Sequence, residues 1–400
     1  MFRLIPPAGT PISLIDLFKI TCHRFSGRDV GRSFRKRLVD LTGSTECFFF
    51  SSGRAALYVA IKALRELADP RRDEVVLPAY TCFSVPASIA RAGLRVRLVD
   101  IDPMTLDYNF ENFERMDFSK VLAIAGCNMF GILSDWNRLR GIAARHGIFT
   151  VDDAAQSLGS RYDGKPSGSL GDFGILSFGR GKNLSLYSGG ALVTNRQDLS
   201  DMINRHRPVP GSNGSDGELS SAVKLALYAL FLKPGFYWLP SLLPFLGLGE
   251  TVYDENFIVD KLKDIQLCAG DRLSDKLERN NHVRMENSRK LIEGLRTSGE
   301  FNVPGSRCKD LPVYLRLPVI VRDSETRDKL LIRLRRNGIA ASKMYPSTLR
   351  RIGALEKHLA DGGDNYPGSQ LVVDRILCLP THPYLSARDI DRMIDTLTRG

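Results

Sequence analysis

The sequence predicts an α/β protein with a mainly parallel central sheet flanked by helices, followed by a smaller α+β domain. Three observations predict it. From about residue 45 to 195, short β-rich runs alternate with helical periodicities, as βαβ units require. From about residue 271 the pattern changes to a long charged helix, a strand-like run and a basic helix. The 400 residues are 43% hydrophobic and 25% charged, an ordinary globular balance with length enough for a large core. The expected division is 1–270 for an N-terminal arm and a large domain, and 271–400 for a small one.

The strands expected in the first part are Cys47–Phe50, Glu74–Leu77, Arg95–Val99, Val121–Ala125, Ile148–Val151, Ile175–Phe178 and Ala191–Thr194. Between the first two, Leu57, Ile61, Leu64 and Ala68 recur on one face of a helix over Arg54–Ala68. A second helix is expected to open at Ser134 as N-cap, bury Trp136, Leu139 and Ala143, and close at Gly147. Helices between successive strands gather the strands' carboxyl ends along one edge, where open α/β sheets place ligands. Further on, Gly211–Gly217 is a polar surface loop. The small domain begins with one helix over Asp271–Leu295, continues with a strand within Val313–Val321 and a basic helix over Ser324–Asn337, and ends beyond Leu379-Pro380-Thr381-His382-Pro383. His382 in that turn reads as structural.

The formal net charge is +11, and residues 1–45 hold eight Lys/Arg against three acids. A basic excess favours anionic partners. No helix-turn-helix, zinc-finger or RNA-binding pattern accompanies it, so nucleic acid is not an expected partner. The seven cysteines are scattered and contain no CxxC pair, which reads as free thiols rather than a disulfide frame or a metal site. The N-terminal Met1–Ile5 runs into Pro6-Pro7 without an apolar signal segment, so the expected location is cytoplasmic.

An apolar insertion at about 221–250 stands out. Its run Leu225–Gly249 carries no charge between Lys233 and Glu250, and Pro234, Pro240 and Pro244 interrupt it. It is too short and too broken to span a membrane. Three readings compete: packing against the body or a dimer partner, a peripheral membrane contact through 225–249, or a lid over a greasy substrate.

Three segments carry chemistry. Ser51-Ser52-Gly53-Arg54-Ala55 opens a helix after a strand, and the glycine lets main-chain N–H groups approach an oxyanion that the helix dipole favours. The same residues also suit an ordinary N-cap. Phe149–Gln156 is an apolar strand ending in Asp152 and Asp153, which must point to opposite sides of the sheet. One of the two is therefore placed to meet a cationic ligand group. Gly174–Asn183 ends a strand at Ser177 and presents Lys182 on a glycine-rich turn beside Arg180. A lysine whose surroundings lower its pKa can form a Schiff base there. Together these parts make a site for pyridoxal 5'-phosphate: a phosphate cradle, a carboxylate for the pyridine N–H, and a reactive amine.

The order and spacing of these segments resemble the DegT/DnrJ/StrS family of pyridoxal-phosphate sugar aminotransferases, of the fold type I, aspartate-aminotransferase-like class. The resemblance runs from about residue 45 to the C-terminus. It is carried by Ser52–Leu57, Leu77–Thr81, Val99–Asp102, Asp153–Gln156, Ser177-Phe178, Lys182-Asn183, Asp264–Gln266 and Leu379-Pro380. It implies Lys182 as the lysine that binds the cofactor and moves the substrate's α-proton. It also implies Asp153 at the pyridine nitrogen and Gln156 near the 3-oxygen. Ser177 would donate to the phosphate together with the backbone at Gly53 and Arg54. The implied reaction moves an amino group, usually from glutamate, to a nucleotide-linked keto-sugar, in a homodimer whose sites are completed by the neighbouring subunit.

The chain departs from the family at three places. Cys82 stands where a ring commonly stacks on the cofactor, leaving Tyr80 or Phe83 to supply one. The run corresponding to the family's cross-subunit phosphate contact is Phe257–Lys261, with no asparagine and with Lys261 in place of arginine. Asn128 replaces a frequent histidine. Two other readings compete: a sugar dehydratase of the same superfamily, which typically has histidine at the position of Lys182, and a non-catalytic membrane-proximal scaffold, which has no need of Asp153, Gln156 and Lys182 together.

Overall fold

Seven runs rich in β-branched and aromatic residues pair into one sheet: β1 (Glu46–Phe50), β2 (Glu74–Pro78), β3 (Arg95–Val99), β4 (Val121–Cys127), β5 (Phe149–Asp153), β6 (Phe173–Ser177) and β7 (Gly190–Thr194). The computed structural model describes residues 3–24, 29–208, 217–243, 251–296, 298–360 and 365–399. Across the sheet the order is β1-β7-β6-β5-β4-β2-β3. All neighbours are parallel except β7, which runs antiparallel to both β1 and β6. β4 is buried at every position, as a strand must be when helices cover both faces of its sheet.

The Gly53–Leu67 helix buries Leu57, Ile61 and Leu64. The Trp136–His146 helix closes at Gly147, but its N-cap is Asp135 and not Ser134: the Asp135 carboxylate accepts the Arg138 amide. Ser134 is one residue too early, and its own amide donates to Asn128 Oδ1. The single helix expected over Asp271–Leu295 is two, Asp264–Ser274 and Leu277–Arg296.

Beyond these helices, β8 (Arg316–Ile320) and β9 (Ile376–Pro380) form an antiparallel pair. One apolar cluster holds residues of the large sheet together with Leu317, Val319, Leu377 and Leu379, so the two sheets share a core. Residues 3–12 strap across the later part of the chain. Ile5 exchanges main-chain bonds with Gly338 and Ala340 at 2.9 Å each, and Arg3 meets the buried Asp389 at 2.6 Å.

The apolar insertion begins as the Glu218–Phe231 helix and continues to a short turn at Pro240–Leu242. Leu225 and Ala229 of that helix face the body. Most of the loop Gly211–Gly217 and the insertion's end, 244–250, lie outside the described residues. No helix among the described residues is long and apolar enough to cross a membrane.

Candidate active site

β6 delivers its last residue, Ser177, to the carboxyl edge of the sheet, and the chain returns to β7 through a closed turn. The Phe178 amide donates to Gly189 O, and the Leu186 amide to Phe178 O, at 2.8 Å each. Lys182 sits at the crest of this turn, directly after Gly181, whose φ of +72° a side chain would strain. The turn is pinned from three sides. Thr10 Oγ1 of the N-terminal strap donates to Lys182 O at 2.7 Å. Asn183 Nδ2 donates to Asn281 Oδ1 at 3.1 Å. The Gly181 amide donates to the Tyr228 hydroxyl of the insertion helix at 3.0 Å.

β5 lies beside β6, with Asp153 opposite Ile175. Strand alternation separates the two acids at its end. Asp152 points into the fold, where it accepts from Asn128 Nδ2 at 2.6 Å and from the Gly168 and Leu170 amides at 2.6 and 3.1 Å. Burial pushes its carboxyl up to about 7 against those donors. Asn128 is therefore a structural bracket, and it also accepts from Trp136 Nε1 at 3.3 Å.

Asp153 turns the other way. Burial raises its pKa, and the charge of Lys182 works against that rise. Burial likewise lowers the pKa of Lys182, while Cys82 and Asp153 oppose the fall and Arg316 reinforces it. The amine and the carboxylate thus lie within electrostatic reach of each other. Lys182 Nζ makes no hydrogen bond among the described residues. A half-buried amine facing a cavity without a partner, beside a carboxylate that burial disfavours, fits a pair completed by a bound aldehyde and a ring N–H.

The helix start lies close by. Ser52 caps the Gly53–Leu67 helix by accepting the Ala55 amide at 3.1 Å. A Cβ on Gly53 would meet the Ser177 Cβ at 3.2 Å, and a Cβ on Gly190 would overlap the Gly53 nitrogen. The amino end of this helix and Ser177 therefore form a cradle of main-chain donors and one hydroxyl, suited in size and polarity to a phosphate. Arg54's side chain leaves that cradle and lies over the Phe257 ring at 5.3 Å. The Phe257–Lys261 run packs at the end of β1, where Ser51 and Asp260 exchange bonds. Gln156 is buried and fixed, accepting the Phe130 amide at 3.3 Å and donating to the Tyr345 hydroxyl at 2.9 Å.

Of the two rings considered for stacking, Tyr80 is wholly buried and packs edge-on to Tyr345 at 5.3 Å. Phe83 stacks on the same Tyr345 at 6.1 Å. Neither lines the cavity beside Lys182. That cavity, about 420 Å³, is bounded there by Cys82 and Tyr345. Its other walls are Arg180 and Arg316, the N-terminal Pro7 and Ala8, and the insertion's Lys224, Leu227, Tyr228, Phe231 and Tyr237. Sequence reasoning missed Arg316, Tyr345 and Tyr228. The first two follow Lys182 by more than a hundred residues with no spacing to betray them, and Tyr228 was hidden in a run legible only as apolar.

A model of the DegT/DnrJ/EryC1/StrS aminotransferase family matches residues 24–398. Among curated proteins, a UDP-2-acetamido-2-deoxy-3-oxo-D-glucuronate aminotransferase of Pseudomonas aeruginosa is 25% identical over 373 residues, 90% of this chain and 88% of that one. A GDP-perosamine synthase of Caulobacter vibrioides is 32% identical over 174 residues, 43% of this chain and 46% of that one. The chain thus spans less than half the length of the relatives it matches at 32% and 37% identity. A solved sugar aminotransferase from Micromonospora echinospora superposes with a TM-score of 0.79 at 22% identity, covering 99% of this chain and 100% of that one, and has the same fold.

Proposed function

We propose that this chain, which belongs to the DegT/DnrJ/EryC1/StrS aminotransferase family, moves an amino group from an amino acid, glutamate in the first instance, to a nucleotide-linked keto-sugar. The product would enter surface polysaccharide or a glycosylated metabolite. The observation that carries the reading is the shared environment of Lys182 and Asp153. Support also comes from the Pseudomonas aeruginosa relative, whose name is that of a nucleotide-sugar aminotransferase.

The family's cofactor is pyridoxal 5'-phosphate, which when bound supplies an electron sink for the carbon that loses its proton. The chain's own residues do the rest. Asp153 would hold the protonated ring nitrogen, a cation suited to a carboxylate that burial disfavours. Lys182, whose pKa burial lowers, is thereby biased toward the neutral amine. It takes the α-proton from the donor and returns one to the acceptor's carbon. The Gly53 and Arg54 amides and the Ser177 hydroxyl hold the phosphate at the helix start. Gln156, fixed by Phe130 and Tyr345, meets the 3-oxygen. In this reading Cys82 and Tyr345, rather than Tyr80 or Phe83, bound the face of the cofactor ring.

The same reading takes residues 1–270 as the cofactor-binding part and 271–400 as a smaller unit built around β8 and β9, in a cytoplasmic homodimer. Incubating holoenzyme with glutamate tests the first half of the reaction. The visible band of the bound cofactor should shift toward the near-ultraviolet and return on adding the right keto-sugar nucleotide. A band that no amino acid moves would overturn the aminotransferase reading.

A further inference from the structure

The Glu218–Phe231 helix has three faces. Leu225 and Ala229 are buried against the body. Lys224, Leu227, Tyr228 and Phe231 line the cavity of Lys182. On the third face Leu219, Val223, Leu227 and Leu230 recur at helical spacing and are 79%, 48%, 48% and 38% exposed. Leu227 belongs to two of these faces, so the exposed stripe runs over the lip of the cavity and continues inside it. Between Leu219 and Leu227 the stripe measures about 12 Å at a 1.5 Å rise per residue.

The cavity is also charged in one sense. Arg180, Lys224 and Arg316 join Lys182 in its walls, and no Asp or Glu lines it among the described residues. Gly53 and Ser177, the proposed phosphate cradle, are not part of these walls, so Arg180 and Arg316 face the cavity apart from that cradle. An apolar track leading into a cationic chamber complements a molecule with an anionic head and a hydrocarbon tail. A nucleoside would instead set a polar base and ribose against Leu227.

Resting on the aminotransferase reading for the chemistry at Lys182, we propose that the site also accepts keto-sugars whose diphosphate carries a long hydrocarbon chain in place of a nucleoside. The diphosphate meets Arg180 and Arg316, and the chain lies along Leu227, Val223 and Leu219. A second copy of the chain covering this stripe would account for its exposure but not for its continuation into the reaction cavity.

The test titrates holoenzyme with farnesyl diphosphate and with inorganic diphosphate. Each methylene withdrawn from water is worth roughly fourfold in affinity, so the farnesyl compound is expected to bind at least about tenfold more tightly. The variant Leu219→Ser/Val223→Ser, altered only at exposed positions outside the cavity walls, should bring the ratio toward one while inorganic diphosphate binds as before. A ratio near one in the parent protein overturns the proposal, and if the serine variant then dissociates a dimer, the stripe is a contact between copies. A high ratio that the variant does not alter overturns it as well. The glutamate half-reaction, run in parallel, reports on the aminotransferase reading alone: its failure leaves the binding ratio to be judged separately.

Discussion

The Tyr228 hydroxyl accepts the Gly181 amide at 3.0 Å, so a helix from the apolar insertion holds the turn that presents Lys182. It also pairs with Ser185 Oγ at 3.2 Å, and Ser185 bonds back to Gly179 O at 3.0 Å. An insertion legible in the sequence only as an apolar run is thus joined to the turn that presents Lys182.

Tyr228→Phe keeps the ring and removes both bonds. A hydrogen bond of this kind contributes about 1 kcal/mol, so the fold should survive. Loosening the turn should slow the single-turnover reaction with glutamate by about tenfold, because misplacement of a reacting group is costly. An unchanged rate would mean that Tyr228 only packs.

Asp153→Asn keeps the shape of the site and removes the negative charge. Loss of one preorganised electrostatic contact typically costs about a hundredfold or more. The glutamate half-reaction should slow by at least that much, while the amine at Lys182 remains available to the cofactor. Stopped-flow absorbance separates the two, and a near-normal rate would place the ring nitrogen elsewhere.

Gly190→Ala tests the cradle from behind. The new methyl would overlap the Gly53 nitrogen, and the helix start must shift to admit it. Cofactor affinity, followed by fluorescence of the released cofactor, should weaken by at least about tenfold. Unaltered affinity would show that the amide end of the Gly53–Leu67 helix does not hold the phosphate.

His382 gives a pH signature of folding. It is wholly buried, Nε2 donates to Pro6 O at 2.8 Å, and burial holds its pKa down at about 3 against an ordinary 6.5. As pH falls below the ordinary value, the unfolded chain takes up a proton that the folded chain refuses. Stability therefore declines through that window, with a slope of up to about 1.4 kcal/mol per pH unit from this group. His382→Gln, which can still donate to Pro6, should remove this part of the slope in denaturant titrations between pH 7 and 4. Identical slopes in parent and variant would contradict a neutral buried imidazole.

The sheet was legible because its strands are largely buried and bounded by turns. Val121–Cys127 is longer than expected by two residues, and Phe149–Asp153 ends in the two acids that its segment placed there. The Asp135 cap was missed because Ser134 and Asp135 are equally good N-cap types. The helix break near Asp275 was illegible for a different reason. No glycine or proline marks it, and its flanks are taken by distant partners: Asp271 by Arg37 at 2.8 Å and Lys276 by Asp16 at 2.5 Å. At the candidate site, local motifs pointed to Lys182, Asp153 and Ser177, and the family resemblance to Gln156. Arg316 and Tyr345 reach the same cavity only through the packing of β8 and the segment that follows it, which no spacing rule encodes.

The central claim is that one amine, at the crest of the turn after β6, carries the cofactor. Reduction of the holoenzyme with borohydride, followed by peptide mapping, addresses it directly. The account predicts a single modified peptide, with the label on Lys182, and no label in Lys182→Ala. A label on any other lysine, or the same label persisting in the alanine variant, would contradict it.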